Sequence, residues 1–558
     1  MAVWPRFRHQ LARWLVGRFE VPRDAVRWAC RRYAPRTALV TARGRWTFRQ
    51  LHERSLRLAQ ALLTQGAGAG AVVLCQVGDD HEWLEIRLAC FECGAVSVCL
   101  PDFADAATAR AVLAAVAPRV VITSPGMPLA AAALAPSVRR VMTGRDYENW
   151  LVSQPATLAV VSVAPQQVAA LGLTSGTTGA PKLMATTHGA QVRSLQMLMG
   201  NLDLSGPGMV SGPCLPAIPL CGAGSGMVFP ALLSGSALVI PPSRAPGVLV
   251  DWIEAQGVTR LFLTPSQLID LLELPLTQLR RLGTLRQIIY GTESMPQPKL
   301  LEAMERLGPI LQQGYGSAEV LPPVSLFSAA EHARARQTGA LHLLASSGRV
   351  VPDVQLECRS EDGLPVAAGA VGALWVRSPT RFAGYWGSEG LIPAGQGAWL
   401  AMGDMGRVDA QGYLYVMGRQ ADVIHVQRQG VGDVRVYPRE VEDAAHGHPG
   451  VREAALVQVA RGDLPGEVWL VVSLREAVRA NAALADQDWA LALRQHLAQR
   501  VPSHALPDRI WVLDALPRSP LGKVLRRQVR ETLHRFHKEA VHQAAGVEAG
   551  GDALESPT

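Results

Sequence analysis

Residues 172–182 read Gly-Leu-Thr-Ser-Gly-Thr-Thr-Gly-Ala-Pro-Lys. Hydroxyl side chains crowd between glycines, and a lysine closes the run. Gly176 and Gly179 free the backbone, so that N–H groups can turn inward toward an anion. Thr174, Ser175, Thr177 and Thr178 add hydroxyl donors, and Lys182 adds a positive charge. Such a loop is suited to phosphate. A Ser/Thr/Gly surface turn is the plain alternative; the donor density and the closing lysine count against it. A P-loop fails at two positions. Pro181 stands where glycine should precede the lysine, and Leu183 where Ser or Thr should ligate magnesium. Val168-Ala-Ala-Leu-Gly-Leu173 reads as a short buried strand, and Val192, Leu195 and Met199 recur at helical spacing. The loop is therefore expected between a strand and a helix, where α/β proteins place ligands.

Further motifs follow in order: Gly314-Tyr-Gly-Ser-Ala-Glu319, Trp399-Leu-Ala-Met-Gly-Asp404, Gly412-Tyr-Leu-Tyr-Val-Met-Gly-Arg419, Tyr437-Pro-Arg-Glu-Val-Glu442 and Leu516-Pro-Arg-Ser-Pro-Leu-Gly-Lys523. Singly each is weak. Asp404 could cap a turn, Arg419 could be a surface charge, and Lys523 could be a solvated lysine. As an ordered set they resemble the adenylate-forming superfamily: acyl- and aryl-CoA synthetases, peptide-synthetase adenylation domains and luciferases. The resemblance runs from Trp46-Thr-Phe48 to Arg527.

That resemblance implies ATP-dependent activation of a small carboxylic acid to acyl-AMP, with pyrophosphate released. Thioester formation with CoA or a phosphopantetheinyl carrier protein would follow. It implies that residues 174–182 hold the β- and γ-phosphates and that Glu319 helps hold Mg2+, a hard cation that takes oxygen ligands. Gly291, Thr292 and Glu293 would line the adenine side, with Tyr315 against the base. Asp404 would accept both ribose hydroxyls, and Arg419 would contact ribose or phosphate. Lys523 would bridge the acid carboxylate and the α-phosphate, where negative charge crowds. The catalytic set is thus Lys523, Glu319 and Lys182. Ile218, Pro219, Cys221 and Gly222 would line the acyl pocket. In this family the small domain rotates about a hinge between the two half-reactions.

The sequence departs from the family pattern in places. Leu183 replaces the usual glycine after the loop lysine, Ala318 the common threonine before Glu319, and Ala421 an Asp or Lys hinge residue. The stretch from Asp422 to Val436 is a few residues longer than usual, where the family places its thioester-forming loop. The adenylation machinery looks whole, and the second half-reaction is the weaker expectation. Transfer of acyl-AMP to a carrier or another acceptor without CoA is the alternative; a non-catalytic nucleotide- or acyl-binding relative is the alternative of another class. Pro219 takes the place of a His or aromatic gate. No Asp occurs over residues 213–229 to pair an ammonium, so a plain aliphatic or aromatic acid is favoured over an α-amino acid.

The elements that must position these residues show a βα rhythm. Leu51, Leu56 and Ala59 share a helical face, while 72–77 and 120–123 read as strands. The rhythm recurs at 237–240, 261–263 and 287–290, and residues 345–417 look like a small β-rich subdomain. The pattern restarts after Arg419, with strands at 455–459 and 468–472 and helices at 438–446 and 486–500. The fold class is therefore α/β. A large N-terminal AMP-binding domain over 1–420 would hold two doubly wound βα subdomains and the β-rich subdomain. A mobile α+β lid over 421–540 and a disordered tail over 541–558 would follow.

A chain of 558 residues needs more than one core. Apolar residues make up 48% and charged residues 18%, ordinary for a globular protein. Lys and Arg exceed Asp and Glu by 54 − 47 = 7, an excess that suits nucleotides and is too small to argue for nucleic acid. No uninterrupted apolar run is long enough to span a bilayer. The eight cysteines include Cys90-x-x-Cys93 without a second pair at zinc spacing, so they read as core residues of a cytoplasmic, reduced protein. Trp4, Phe7, Leu11, Trp14 or Leu15, and Phe19 share a face flanked by arginines. This stripe is expected to pack on its own domain rather than lie on a membrane surface. His446-x-His448 precedes Pro449-Gly450 and reads as turn chemistry.

Overall fold

A computed structural model describes residues 17–158, 161–175, 181–202, 212–395, 397–428, 432–461, 464–475, 478, 487–519 and 522–535. The phosphate-loop residues Gly176, Thr177, Thr178 and Gly179 therefore lie outside the described residues, as do most of the N-terminal stripe and the tail beyond 540. The chain divides into two compact units. One comprises 1–293, 302–402 and 408–415; the other comprises 294–301, 403–407 and 416–558.

The first unit is built on two large sheets. In the eight-stranded sheet the parallel strands Arg139–Met142, Val120–Thr123, Val72–Gln76, Val96–Cys99 and Val168–Ser175 lie side by side. Val72–Gln76, Val96–Cys99 and Val120–Thr123 are Val-rich and almost wholly buried, as inner parallel strands covered by helices must be, while the edge strand Arg139–Met142 is largely open. The nine-stranded sheet has a parallel centre through Leu311–Tyr315, Gln287–Gly291, Arg260–Leu263, Cys214–Pro216, Leu238–Val239 and Thr37–Thr41. The βα rhythm read from the sequence is this pair of doubly wound sheets, and the fold is α/β.

Helix starts are fixed by side chains. Thr47 and Gln50 form a capping box on Phe48–Thr64, and Thr264 and Gln267 do the same for Pro265–Leu272. The helix His81–Cys93 is buried all round, so it shows no amphipathic stripe. Its charged residues are matched: Glu92 takes Arg27, Glu85 takes Arg54, and Glu82 takes Arg43. Asp80, His81 and Glu82 lie close enough to suggest a metal site. Arg43 already neutralises both carboxylates there, so we read an ion network.

The β-rich stretch divides between sheets. Gln355–Arg359, Gly372–Arg377, Leu400–Val408 and Leu414–Arg419 make a four-stranded sheet, and the last two carry residues of both units. The hairpin Gly384–Gly387 and Gly390–Pro393 instead extends the eight-stranded sheet.

The second unit holds a hairpin, Ile424–Arg428 paired with Gly432–Val436, and a three-stranded sheet of Val451–Arg461, Leu464–Leu474 and Arg509–Val512. The helices Pro438–His446 and Gln487–Ala498 pack on one core with them, through Val441, Ala445, Trp489, Leu493 and Leu497. Among the described residues no helix is long and apolar enough to cross a membrane.

Candidate active site

The residues flanking the phosphate loop are two antiparallel strands, Val168–Ser175 and Pro181–Thr187, with Thr174 opposite Lys182. The expected order of strand, loop and helix is thus corrected: a second strand intervenes, and the helix begins at His188. The reason is pairing on both sides. Pro181–Thr187 runs between Val168–Ser175 and Gly384–Gly387, which makes it an inner strand. Leu183 is 4% exposed and joins the core of Val98, Leu100 and Leu171, so packing accounts for the absent glycine.

Lys182 is exposed, and its Nζ lies 5.6 Å from the centre of the Tyr385 ring. The Tyr385 phenol titrates above its ordinary value, through burial and then the neighbouring Glu319 carboxylate. Tyr385 thus has the Lys182 ammonium over its ring and feels the Glu319 charge. Glu319 is partly buried, and its main-chain carbonyl accepts a 2.9 Å hydrogen bond from the Phe382 N–H. Among the described residues its carboxylate has no ion-pair partner, so a hard oxygen donor stands available. That fits magnesium. Sequence reading missed Tyr385; its only signal was the Gly-Tyr-Trp-Gly run at 384–387.

Gly291, Thr292 and Glu293 follow the strand Gln287–Gly291 at its carboxyl end. Gly291 is required by a close approach, since a Cβ there would meet the Gly314 carbonyl oxygen at 2.4 Å. Thr292 has φ of 76°, rare for a β-branched residue, and its buried hydroxyl lacks a partner among the described residues. Strain plus an orphan donor at a strand end is the pattern of a ligand contact. Glu293 accepts the Ser266 N–H at 3.0 Å, capping the helix Pro265–Leu272. The Tyr315 hydroxyl rests 3.8 Å from the Met402 sulfur.

Ile218 and Pro219 are buried, Cys221 is partly exposed, and Gly222 is exposed. The segment is held from outside. Both carboxylate oxygens of Asp79 accept the Leu220 N–H at 3.1 Å, and Arg244 pairs with the same carboxylate. Asp79 follows a strand of one sheet, and Leu220 and Arg244 follow strands of the other. This clamp ties together the carboxyl ends of both sheets.

In the second unit, Asp404 is 7% exposed and its Oδ1 lies 3.2 Å from Arg419 Nε. Lys523 is exposed and sits on a turn, with the Ser519 N–H donating to its carbonyl at 2.7 Å. Arg518 braces that turn through Glu453, at 2.7 Å. The lengthened 423–435 stretch is the hairpin described above. Arg428 fastens it by donating to the carbonyls of His504 at 3.1 Å and Leu506 at 2.9 Å. His446 is partly buried, and its loss of solvation pushes the imidazole down to about 4. His448 accepts the Gly450 N–H at 3.2 Å within a turn.

The family model of AMP-binding enzymes matches residues 26–386, and that of the AMP-binding enzyme C-terminal domain matches 440–523. The chain belongs to the AMP-binding enzymes. It is 31% identical over 383 residues to the medium/long-chain-fatty-acid–CoA ligase of Mycobacterium tuberculosis, spanning 68% of this chain and 63% of that relative. It is 30% identical over 493 residues to the feruloyl-CoA synthase of an Amycolatopsis species, spanning 87% and 93%. An amide bond synthetase from Marinactinospora thermotolerans superposes with a TM-score of 0.76 at 26% identity, covering 92% of this chain and 99% of that one. The adenylate-forming resemblance read from the ordered motifs is therefore this family.

Proposed function

We propose that this AMP-binding enzyme activates a carboxylic acid with ATP and then passes the acyl group to a thiol, of CoA or of a carrier-protein pantetheine. A carboxylate is a poor electrophile. Its oxygen attacks the α-phosphorus, the bond to the bridging oxygen breaks, and pyrophosphate leaves. The resulting acyl-AMP is open to a nucleophile. The protein's work is positioning and charge neutralisation.

The observation that carries this reading is Lys182, the residue that closes the Ser/Thr/Gly run, lying 5.6 Å from the ring of Tyr385, whose phenol also feels the Glu319 charge. Residues 174–182 supply donors and charge for the β- and γ-phosphates. Glu319 would hold magnesium, which supplies further neutralisation of the phosphate oxygens. Thr292, with Gly291 and Tyr315, faces the base. Asp404 takes the ribose hydroxyls, with Arg419 against it, and Lys523 bridges the carboxylate and the α-phosphate. Ile218, Pro219, Cys221 and Gly222 form the acyl wall, so the acid is aliphatic or aromatic. We place the AMP-binding domain at 1–420 and the lid at 421–540. The free thiols support a reducing, cytoplasmic setting.

A second reading is favoured by the hairpin Ile424–Arg428 and Gly432–Val436. It occupies the region where the family forms thioesters. Its buried Ile424, Val426 and Val436 root it in the core of the second unit. Transfer of acyl-AMP to an acceptor other than CoA, a carrier thiol included, is compatible with that change.

The test is acid-dependent ATP–pyrophosphate exchange over aliphatic, aryl and amino acids, without thiol. Exchange with aliphatic or aryl acids supports adenylation and names the class. Folded, ATP-binding protein with no exchange on any acid overturns it in favour of a binding-only role. CoA and a phosphopantetheinylated carrier are then added separately. Efficient CoA turnover sinks the second reading.

A further inference from the structure

All eight cysteines are free thiols, and two of them face each other. Cys75 lies in the strand Val72–Gln76 and Cys99 ends the strand Val96–Cys99; the parallel register sets them directly opposite. Neighbouring strands lie about 4.8 Å apart. That spacing falls inside the Cα window for a disulfide, toward its short side. The two sulfurs are 2.9 Å apart. Cys75 is buried, while Cys99 is partly exposed.

The chemistry separates this pair from its neighbours. Burial pushes the Cys90 thiol well up and the Cys93 thiol to about 12, which keeps both protonated and inert. Cys99 goes the other way. The hydrogen bond from Cys75 lowers it, burial opposes, and the Arg87 guanidinium lowers it further. Cys99, the more readily deprotonated sulfur of the two, and a resolving Cys75 thiol thus stand in contact.

We propose that Cys75 and Cys99 form a peroxide-responsive dithiol whose closure to a disulfide slows acid activation. The Cys99 thiolate attacks hydrogen peroxide, the O–O bond breaks, and a sulfenic acid forms as hydroxide leaves. The Cys75 sulfur then attacks the Cys99 sulfur. The S–O bond breaks, and the hydroxyl departs as water with the Cys75 proton. Two electrons pass from the sulfur pair to the peroxide.

The link to acid use is local. The Cys75 carbonyl accepts the Leu100 N–H at 2.8 Å. The adjacent Gln76 amide donates to the carbonyls of Pro101 at 3.2 Å and Ala104 at 3.1 Å. Asp79, at the end of the same turn, holds Leu220. This half of the proposal rests on residues 218–222 forming the acyl wall.

The reduced protein is treated with hydrogen peroxide, alkylated and digested, and acid-dependent exchange is followed in parallel. The expected map contains one linked peptide pair joining Cys75 and Cys99, lighter by two hydrogens. Dithiothreitol reverses the link and restores exchange. Cys99→Ser and Cys75→Ser each abolish the link, and the unmutated map stands if a variant misfolds. Added oxygen on Cys99 without a link, an unreacted pair, or a link between other cysteines overturns the dithiol. A link with exchange unchanged overturns its effect on acid activation. Absence of exchange in the reduced protein overturns the adenylation reading instead, and the peptide map still tests the thiols.

Discussion

Thr292 concentrates what one residue can reveal. Its φ of 76° costs energy that a glycine would not incur, and its hydroxyl is buried without a partner among the described residues. If the strain serves nucleotide contact, Thr292→Gly should leave stability unchanged or raise it by about 1 kcal/mol, while KM for ATP rises. Lower stability with an unchanged ATP KM would show that the threonine serves packing alone. Asp79 makes the opposite kind of contact, fully occupied by Leu220 and Arg244. Asp79→Asn keeps an acceptor for the Leu220 N–H and loses the charge that holds Arg244. We expect KM for the acid to rise with KM for ATP unchanged; steady-state exchange kinetics decide it. The role of Asp79 was not legible in the sequence, and Thr292 was named for the adenine side only through the family resemblance. A positive φ leaves no mark in a Gly-Thr-Glu tripeptide. The partners of Asp79 lie far along the chain, so no spacing connects them. Lys182, Glu319, Asp404, Arg419 and Lys523 were legible as residues because each closes a motif, but Tyr385, which lies under one of them and feels the charge of another, closes none.

Elements were read well where their partners or periodicity are local. The strand Val120–Thr123 and the helix Pro438–His446 coincide with the expected spans. Pro181–Thr187 was passed over. Its buried run is short, and it owes its strand state to neighbours on both sides, one of them some 200 residues away in the chain. The helix His81–Cys93 shows how pairing can replace pattern. At its first residue, burial alone would push the His81 imidazole down. Hydrogen bonds to Asp80 and Glu148 and the charges of Glu85 and Glu82 outweigh that, raising it to about 9 from an ordinary 6.5. The folded chain thus holds a proton that the unfolded chain releases earlier. This stabilisation is complete below about pH 6.5 and is lost as pH rises through about 9. Urea midpoints should fall over that interval, and His81→Gln should flatten the fall. A variant whose pH profile matches that of the unaltered protein would show that His81 does not carry the effect.

The residues proposed to carry the chemistry are divided between the two compact units. Lys182, Thr292, Tyr315 and Glu319 belong to the first, while Asp404, Arg419 and Lys523 belong to the second. Such a division suits a reaction in two steps. One pocket cannot hold pyrophosphate and a pantetheine arm at once, and exchanging faces by rotating a small domain resolves the conflict. It also separates binding from chemistry in a way that can be measured. Most of the groups assigned to phosphate, magnesium and base lie outside the unit that carries Lys523. Lys523 itself is exposed on a turn pinned by Arg518 and Ser519, so replacing it should disturb no core. Lys523→Ala should therefore bind ATP with little change, as read by equilibrium titration. Its acid-dependent exchange should fall roughly 100-fold or more, the cost of losing a charge contact made in the transition state. Loss of ATP binding in step with exchange would mean that Lys523 acts on the ground state. Normal exchange would remove it from the reaction and shift the search to Arg419, the other exposed cation of that unit assigned to the nucleotide.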